Sequence, residues 1–126
     1  MENVYLDTSM VMDPFVLAVV LNRIESERVL FGTDLPVAAM RGRRVTVMDH
    51  WVDLVLKGYP PSEYRVQSDS LRATFMVYEI ATAIEQAGSF AGLTQQKRRA
   101  IFWDNGMAVL GSIRGGEALR KAAAGR

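Results

Sequence analysis

The sequence predicts an α/β fold: two parallel strands followed by several helices. Two observations point there. The run Arg28-Val-Leu-Phe-Gly32 is apolar without alternating, the pattern of a strand covered on both faces, as in a parallel sheet. The stretch from Val4 to Val29 has room for one strand, one helix and the next strand, near the ~30 residues of a βαβ unit.

Taken in order, Val4-Tyr-Leu6 is a β-prone run that ends in Asp7-Thr-Ser9. Asp13-Pro14 reads as a helix start, because Asp caps free N–H groups and Pro is tolerated in the first turn. Phe15, Leu17, Ala18, Leu21 and Ile24 recur at helical spacing, and Val16, Val19 and Val20 predict burial on more than one face. Glu25-Ser-Glu27 breaks the helix before the second strand. Pro36, Gly42, Gly58, Pro60 and Pro61 punctuate the segment from Leu35 to Arg72. Within it, Val47, Trp51, Leu54 and Val55 predict a helix over Val45–Leu56, and Tyr59–Ser70 reads as a surface loop. A long helix is expected from Leu71 to Ala87, with Phe75, Tyr78, Ile80, Ala81 and Ile84 in the core and Gly88 as its stop. Thr94 caps a last helix running to Leu110 and ended by Gly111. The Gly-, Ala- and Arg-rich residues from Arg114 onward are expected to fray.

Composition bounds the function. The chain has 126 residues, 49% hydrophobic and 23% charged, which suits one soluble globular domain. A net charge of +1 gives no electrostatic argument for nucleic acid or an anionic membrane as partner. No cysteine is present, which excludes a disulfide framework and thiolate metal sites. The longest apolar run, Phe15 to Leu21, falls far short of the ~20 residues that span a bilayer, and no basic leader follows Met1. A cytoplasmic location is expected.

The chemistry concentrates in Phe31-Gly-Thr-Asp34-Leu-Pro36. A buried strand delivers Asp34 at its carboxyl end, where parallel α/β folds place their ligands. A carboxylate there can bind a cation or take a proton from metal-bound water. This motif resembles the last-strand motif of the amidohydrolase superfamily, closest to the branch with aminocarboxymuconate-semialdehyde-type decarboxylases. Val4-Tyr-Leu-Asp-Thr-Ser9 with Asp13-Pro-Phe15 resembles that branch's seventh strand and following helix. Ile101-Phe-Trp-Asp-Asn105-Gly-Met-Ala108 resembles its closing helix, with Gly106 in place of an alanine.

The resemblance implies the C-terminal fragment of a (β/α)8 TIM barrel over residues 1–112, with a flexible tail over 113–126. It implies that Asp34 is both the catalytic aspartate and a metal-associated group, that the complete enzyme uses a divalent ion such as zinc, and that the substrate is a small carboxylate, lactone or amide. The family's His-x-His pair and middle-strand histidines have no counterpart here, so no metal is expected on the isolated chain. A complete barrel needs ~250 residues, and the match begins just after Met1, which suggests a truncated reading frame. The expected partner is either the missing N-terminal barrel portion or further copies of the chain in a homo-oligomer. The alternative is a non-catalytic fragment that persists only by such association. Substrate-binding residues are not identified.

Other residues admit two readings. Asp7 ends a strand and could face the same mouth; a loop-fixing acceptor is the favoured role. His50, the sole histidine, cannot build a histidine-rich site. Arg41, Arg43 and Arg44 could hold an anionic substrate group, although a solvated basic loop is preferred. Trp51, Tyr59 and Tyr64 could cover a pocket or pack in the core. Arg98-Arg99 beside Phe102-Trp103 mixes basic and aromatic residues without a nucleic-acid motif.

Overall fold

The computed structural model describes residues 4–124. The α/β class holds. Strand β1 (Leu6–Asp7) pairs in parallel with β2 (Val29–Leu30), in the register Leu6 to Val29 and Asp7 to Leu30. Helix α1 (Pro14–Leu21) makes the connection. Asp13 caps it as expected, its carboxylate accepting from the backbone N–H of Phe15 (2.9 Å) and Val16 (3.3 Å), with Pro14 in the first turn. One face of α1 is buried through Leu17, Ala18 and Leu21. The other is not: Phe15, Val16 and Val19 are 70%, 50% and 59% exposed. The expectation of burial on several faces is therefore corrected: these side chains stay largely exposed, although the Phe15 ring stacks on Phe90 at 5.4 Å.

The segment after β2 departs most from the sequence reading. Where a helix over Val45–Leu56 was expected, the chain forms the antiparallel strands β3 (Gly42–Val47) and β4 (His50–Leu56), joined by a turn at Met48-Asp49. Met48 takes φ 57°, the left-handed region used in tight hairpin turns. Val45-Thr-Val47 and Trp51-Val52 are rich in β-branched and aromatic residues, and Asp53 and Val55 alternate inward. That period of two, with strand propensity, outweighs the helical spacing. The expected Tyr59–Ser70 loop likewise contains β5 (Arg65–Ser68), paired in parallel with β4. The fold thus carries a second sheet, in the order β3-β4-β5, between the parallel pair and the C-terminal helices.

This sheet is tied to helix α2 (Met76–Phe90) through backbone bonds from Gly42 N to Thr74 O and from Met76 N to Met40 O, both 2.9 Å. Because α2 starts at Met76, its inward face is Met76, Ile80, Ala83, Ile84 and Ala87, while Phe75 and Tyr78 turn outward. The helix passes Gly88 and ends two residues later. Gly92, at φ 68°, makes the left-handed stop: Leu93 N bonds Gly88 O (2.8 Å) and Gly92 N bonds Ser89 O (3.1 Å). The expected single last helix is two, α3 (Gln95–Phe102), capped by Thr94, and α4 (Asp104–Ala124), broken at Trp103. Gly111 lies inside α4 rather than ending it.

The core gathers Met12, Leu17, Val29, Ala38, Met76, Ile80, Ile84 and Ile101 between the parallel pair and α1, α2 and α3. Asn105, at the start of α4, is buried, and its amide donates to the carbonyls of Ser26 (2.8 Å) and Val29 (2.9 Å). Asn105→Ala strips both carbonyls of their donor and is expected to lower unfolding free energy by about 2 kcal/mol in denaturant titration; a change within about 0.5 kcal/mol would show that the contact is dispensable.

Glu27, beside α3, is held below its ordinary value of 4.5, chiefly by a backbone hydrogen bond at Glu27 itself, against desolvation, and with help from the Ser26 hydroxyl and Lys97. A lowered carboxyl stabilises the fold at pH above its unfolded value and loses that contribution as pH falls through the folded value. The group is exposed and screened by solvent, so the effect is small. Glu27→Gln is expected to be slightly less stable than wild type at neutral pH and equal to it once both forms are uncharged; a gap that widens toward acid would contradict the assignment.

Candidate functional site

The carboxyl ends of β1 and β2 open side by side and are stitched by Thr8. Its buried hydroxyl accepts from Gly32 N (3.1 Å) and donates to Gly32 O (3.4 Å), and its own N–H bonds Leu30 O (3.1 Å). A Cβ at Gly32 would run into the exposed Asp7 carboxylate, which would have to swing away to admit it. Asp7 itself accepts from Ser9 N at 2.5 Å, which is the loop-fixing role.

Asp34 lies four residues beyond Leu30, exposed, at φ 58°. The left-handed conformation turns the chain sharply, and the Asp34 carbonyl accepts from Val37 N (2.9 Å) and Ala38 N (3.3 Å) to start a 3-10 turn over Val37–Ala39. Aspartate tolerates this region better than most residues. Among the described residues no hydrogen bond or ion pair engages the Asp34 side chain. Its carboxylate is therefore not needed to hold the turn, and it stands free for outside chemistry.

The other candidates are dispersed. His50 sits exposed in the β3–β4 hairpin, 3.4 Å from Asp49. The three arginines are engaged inside the fold. Arg41 Nε donates to Ala73 O (3.1 Å), Arg43 donates to Met12 O (3.2 Å), and Arg44 forks onto Asp53 at 2.8 and 3.2 Å while stacking over Trp51 at 3.8 Å. Trp51 also packs on Tyr64, and the Tyr59 hydroxyl accepts from Arg41 N (2.8 Å). In the basic-aromatic stretch, Arg98 pairs with Glu85 and Phe102 packs on Phe31.

Among the described residues no group of three or more His, Cys, Asp or Glu side chains could hold a metal ion. Among them, too, no helix is long and apolar enough to cross a membrane. Thr8, Asn105 and the Asp53–Arg44 pair are structural centres that sequence reasoning passed over. Asn105 stood inside the quoted closing-helix motif, whereas Thr8 carried no signal beyond closing a strand-like run, and Asp53 lay in the stretch read as a helix. No protein-family model, no curated protein and no solved structure matches this chain.

Two variants separate the scaffold from the free carboxylate. Thr8→Val leaves the Gly32 N–H without an acceptor and is expected to cost about 2 kcal/mol, while Asp34→Asn, isosteric and equally tolerant of positive φ, stays within about 0.5 kcal/mol of wild type. Thermal and urea unfolding measure both, and a strongly destabilised Asp34→Asn would mean that its carboxylate holds the fold.

Proposed function

We propose that this chain supplies the closing strands of an amidohydrolase-like barrel, a metal-dependent hydrolase or decarboxylase for a small carboxylate, lactone or amide. One observation carries the reading: Asp34 presents an exposed, unpartnered carboxylate just past the carboxyl end of a parallel strand, where α/β enzymes keep their reacting groups. The last-strand motif Phe31–Pro36 adds the resemblance. In that family a divalent ion, zinc, supplies Lewis acidity at the strand ends. The described residues do not by themselves fit such an ion, because they bring no third ligand to Asp34. The chemistry left to this chain is proton handling and orientation by the Asp34 carboxylate.

The remaining ligands would come from further barrel strands. Two features support a partner: among the described residues β1 pairs only with β2, and the outer face of α1 exposes Phe15, Val16 and Val19. A barrel portion carrying the next strand would cover both. The same apolar face favours the second reading, a non-catalytic chain that persists by self-association.

The test is turnover of a panel of small carboxylates, lactones and amides by the purified protein with Zn2+, alone and together with the polypeptide encoded immediately upstream. Activity in the combined sample that Asp34→Asn lowers by about 100-fold or more, with folding intact, is expected. Unchanged turnover in that variant removes Asp34 from the mechanism. No activity in either sample, with the chain sedimenting as an oligomer at micromolar concentration, establishes the second reading. A well-behaved monomer would contradict both accounts of the apolar face.

A further inference from the structure

We propose a binding site for a small anion with an aromatic or alkyl body, such as an arylcarboxylate, in the cleft between the turn that follows Asp34 and the loop joining β4 to β5. The cleft holds about 430 Å³, within the range of small-molecule sites. Pro36, Val37 and Met40 form one wall; Tyr59, Pro60 and Arg65 form the other. The walls are mostly apolar, and both are pinned by hydrogen bonds. The Asp34 carbonyl holds Val37 and Ala38, while the Tyr59 hydroxyl accepts from Arg41 N (2.8 Å) and the Tyr59 carbonyl from Gln67 Nε2 (2.8 Å). A cleft set before the ligand arrives loses less freedom on binding.

Arg65 decides the ligand's charge. Its Nη1 donates to the Pro60 carbonyl, which anchors the guanidinium at the cleft wall. Among the described residues no carboxylate lies within ion-pair distance of it, in contrast to Arg28, Arg43, Arg44 and Arg98, each of which faces an acidic side chain. A guanidinium that lines an apolar cleft without a carboxylate partner suits an anion that carries its own apolar surface. A bare anion would gain little over water, and a neutral hydrocarbon would leave the guanidinium unpaired. The site uses neither the Asp34 carboxylate nor a metal, so it stands or falls apart from the proposed activity.

The test is titration of the full chain with 2-naphthoate, its neutral counterpart 2-naphthalenemethanol, and acetate, followed by backbone amide shifts. Naphthoate is expected to shift Val37, Ala39, Met40 and Arg65 saturably and to bind about tenfold more tightly than the alcohol, with acetate giving no saturable shift. Arg65→Gln is expected to weaken naphthoate about tenfold without changing the alcohol, Arg65→Lys to recover part of the loss, and Arg99→Gln, in a separate cleft between α2 and α3, to change nothing. The naphthoate–alcohol comparison in wild type needs no variant and so survives any folding defect in Arg65→Gln. Absence of a saturable shift at those amides, equal affinity for the two naphthalenes, or unchanged naphthoate binding by a folded Arg65→Gln overturns the proposal.

Discussion

Strand β2 is only Val29–Leu30, and the molecule is organised around keeping that short strand bonded on both sides. Two-residue strands lie below the usual strand length and cannot form a stable sheet alone. On one side the Thr8 backbone reaches Leu30 and its hydroxyl brackets Gly32. On the other, Ile101 at the end of α3 accepts from Phe31 N at 3.0 Å, and the Asn105 amide closes the carbonyls of Ser26 and Val29. Buried backbone groups must find partners, and here a hydroxyl, a helix-end carbonyl and an amide replace the neighbouring strand. With β2 fixed, Val29 is 1% exposed at the base of the core, α1 has a frame to cross, and the chain leaves the strand end in the direction that puts Asp34 in solvent.

The inserted β3-β4-β5 sheet is coupled to this frame rather than appended to it. Arg43 reaches back to the Met12 carbonyl, and residues 40–42 pair with 74–76 so that the sheet sets where α2 begins. Inside the sheet, Asp53 is 4% exposed and forked by Arg44, whose guanidinium lies on Trp51. A buried pair of this kind adds little net stability, because desolvation offsets its Coulomb energy, but either charge left alone there would be costly. The pair therefore favours the one register in which Arg44 faces Asp53 across the hairpin. The same sheet supplies Tyr59 and Arg65 to the cleft beside the Asp34 turn.

Much of the first third was legible in the sequence. Asp13-Pro14 set the start of α1, the apolar run ending at Gly32 marked a covered strand, and the position of Asp34 past that strand followed from both. The middle was not, because Val47, Trp51, Leu54 and Val55 fit a helical period while the residues between them favour a strand. Short apolar runs are ambiguous in this way, and the hairpin turn at Met48-Asp49 contains no glycine to announce it. The helix expected from Leu71 begins at Met76: Ile80 and Ile84 are core as read, but Phe75 and Tyr78 turn outward, and Met76 and Ala83 are buried instead. The candidate site was legible only as far as Asp34. Arg65 and Tyr59 lay in what read as a loop, and their meeting with Pro36 and Val37 depends on a parallel strand that no local pattern marks.

Native-state hydrogen exchange at Thr8, Phe31 and Gly32 tests the central claim most directly. These three N–H groups bond Leu30 O, Ile101 O and the Thr8 hydroxyl, so they report the strand pair and its two lateral ties separately. Protection of all three at the level of the α2 core amides Ile80 and Ile84 is the predicted result. Exchange of Phe31 and Gly32 at the rate of exposed loop amides, with α2 still protected, would mean that β2 is not held on both sides and that the frame presenting Asp34 is not the one described.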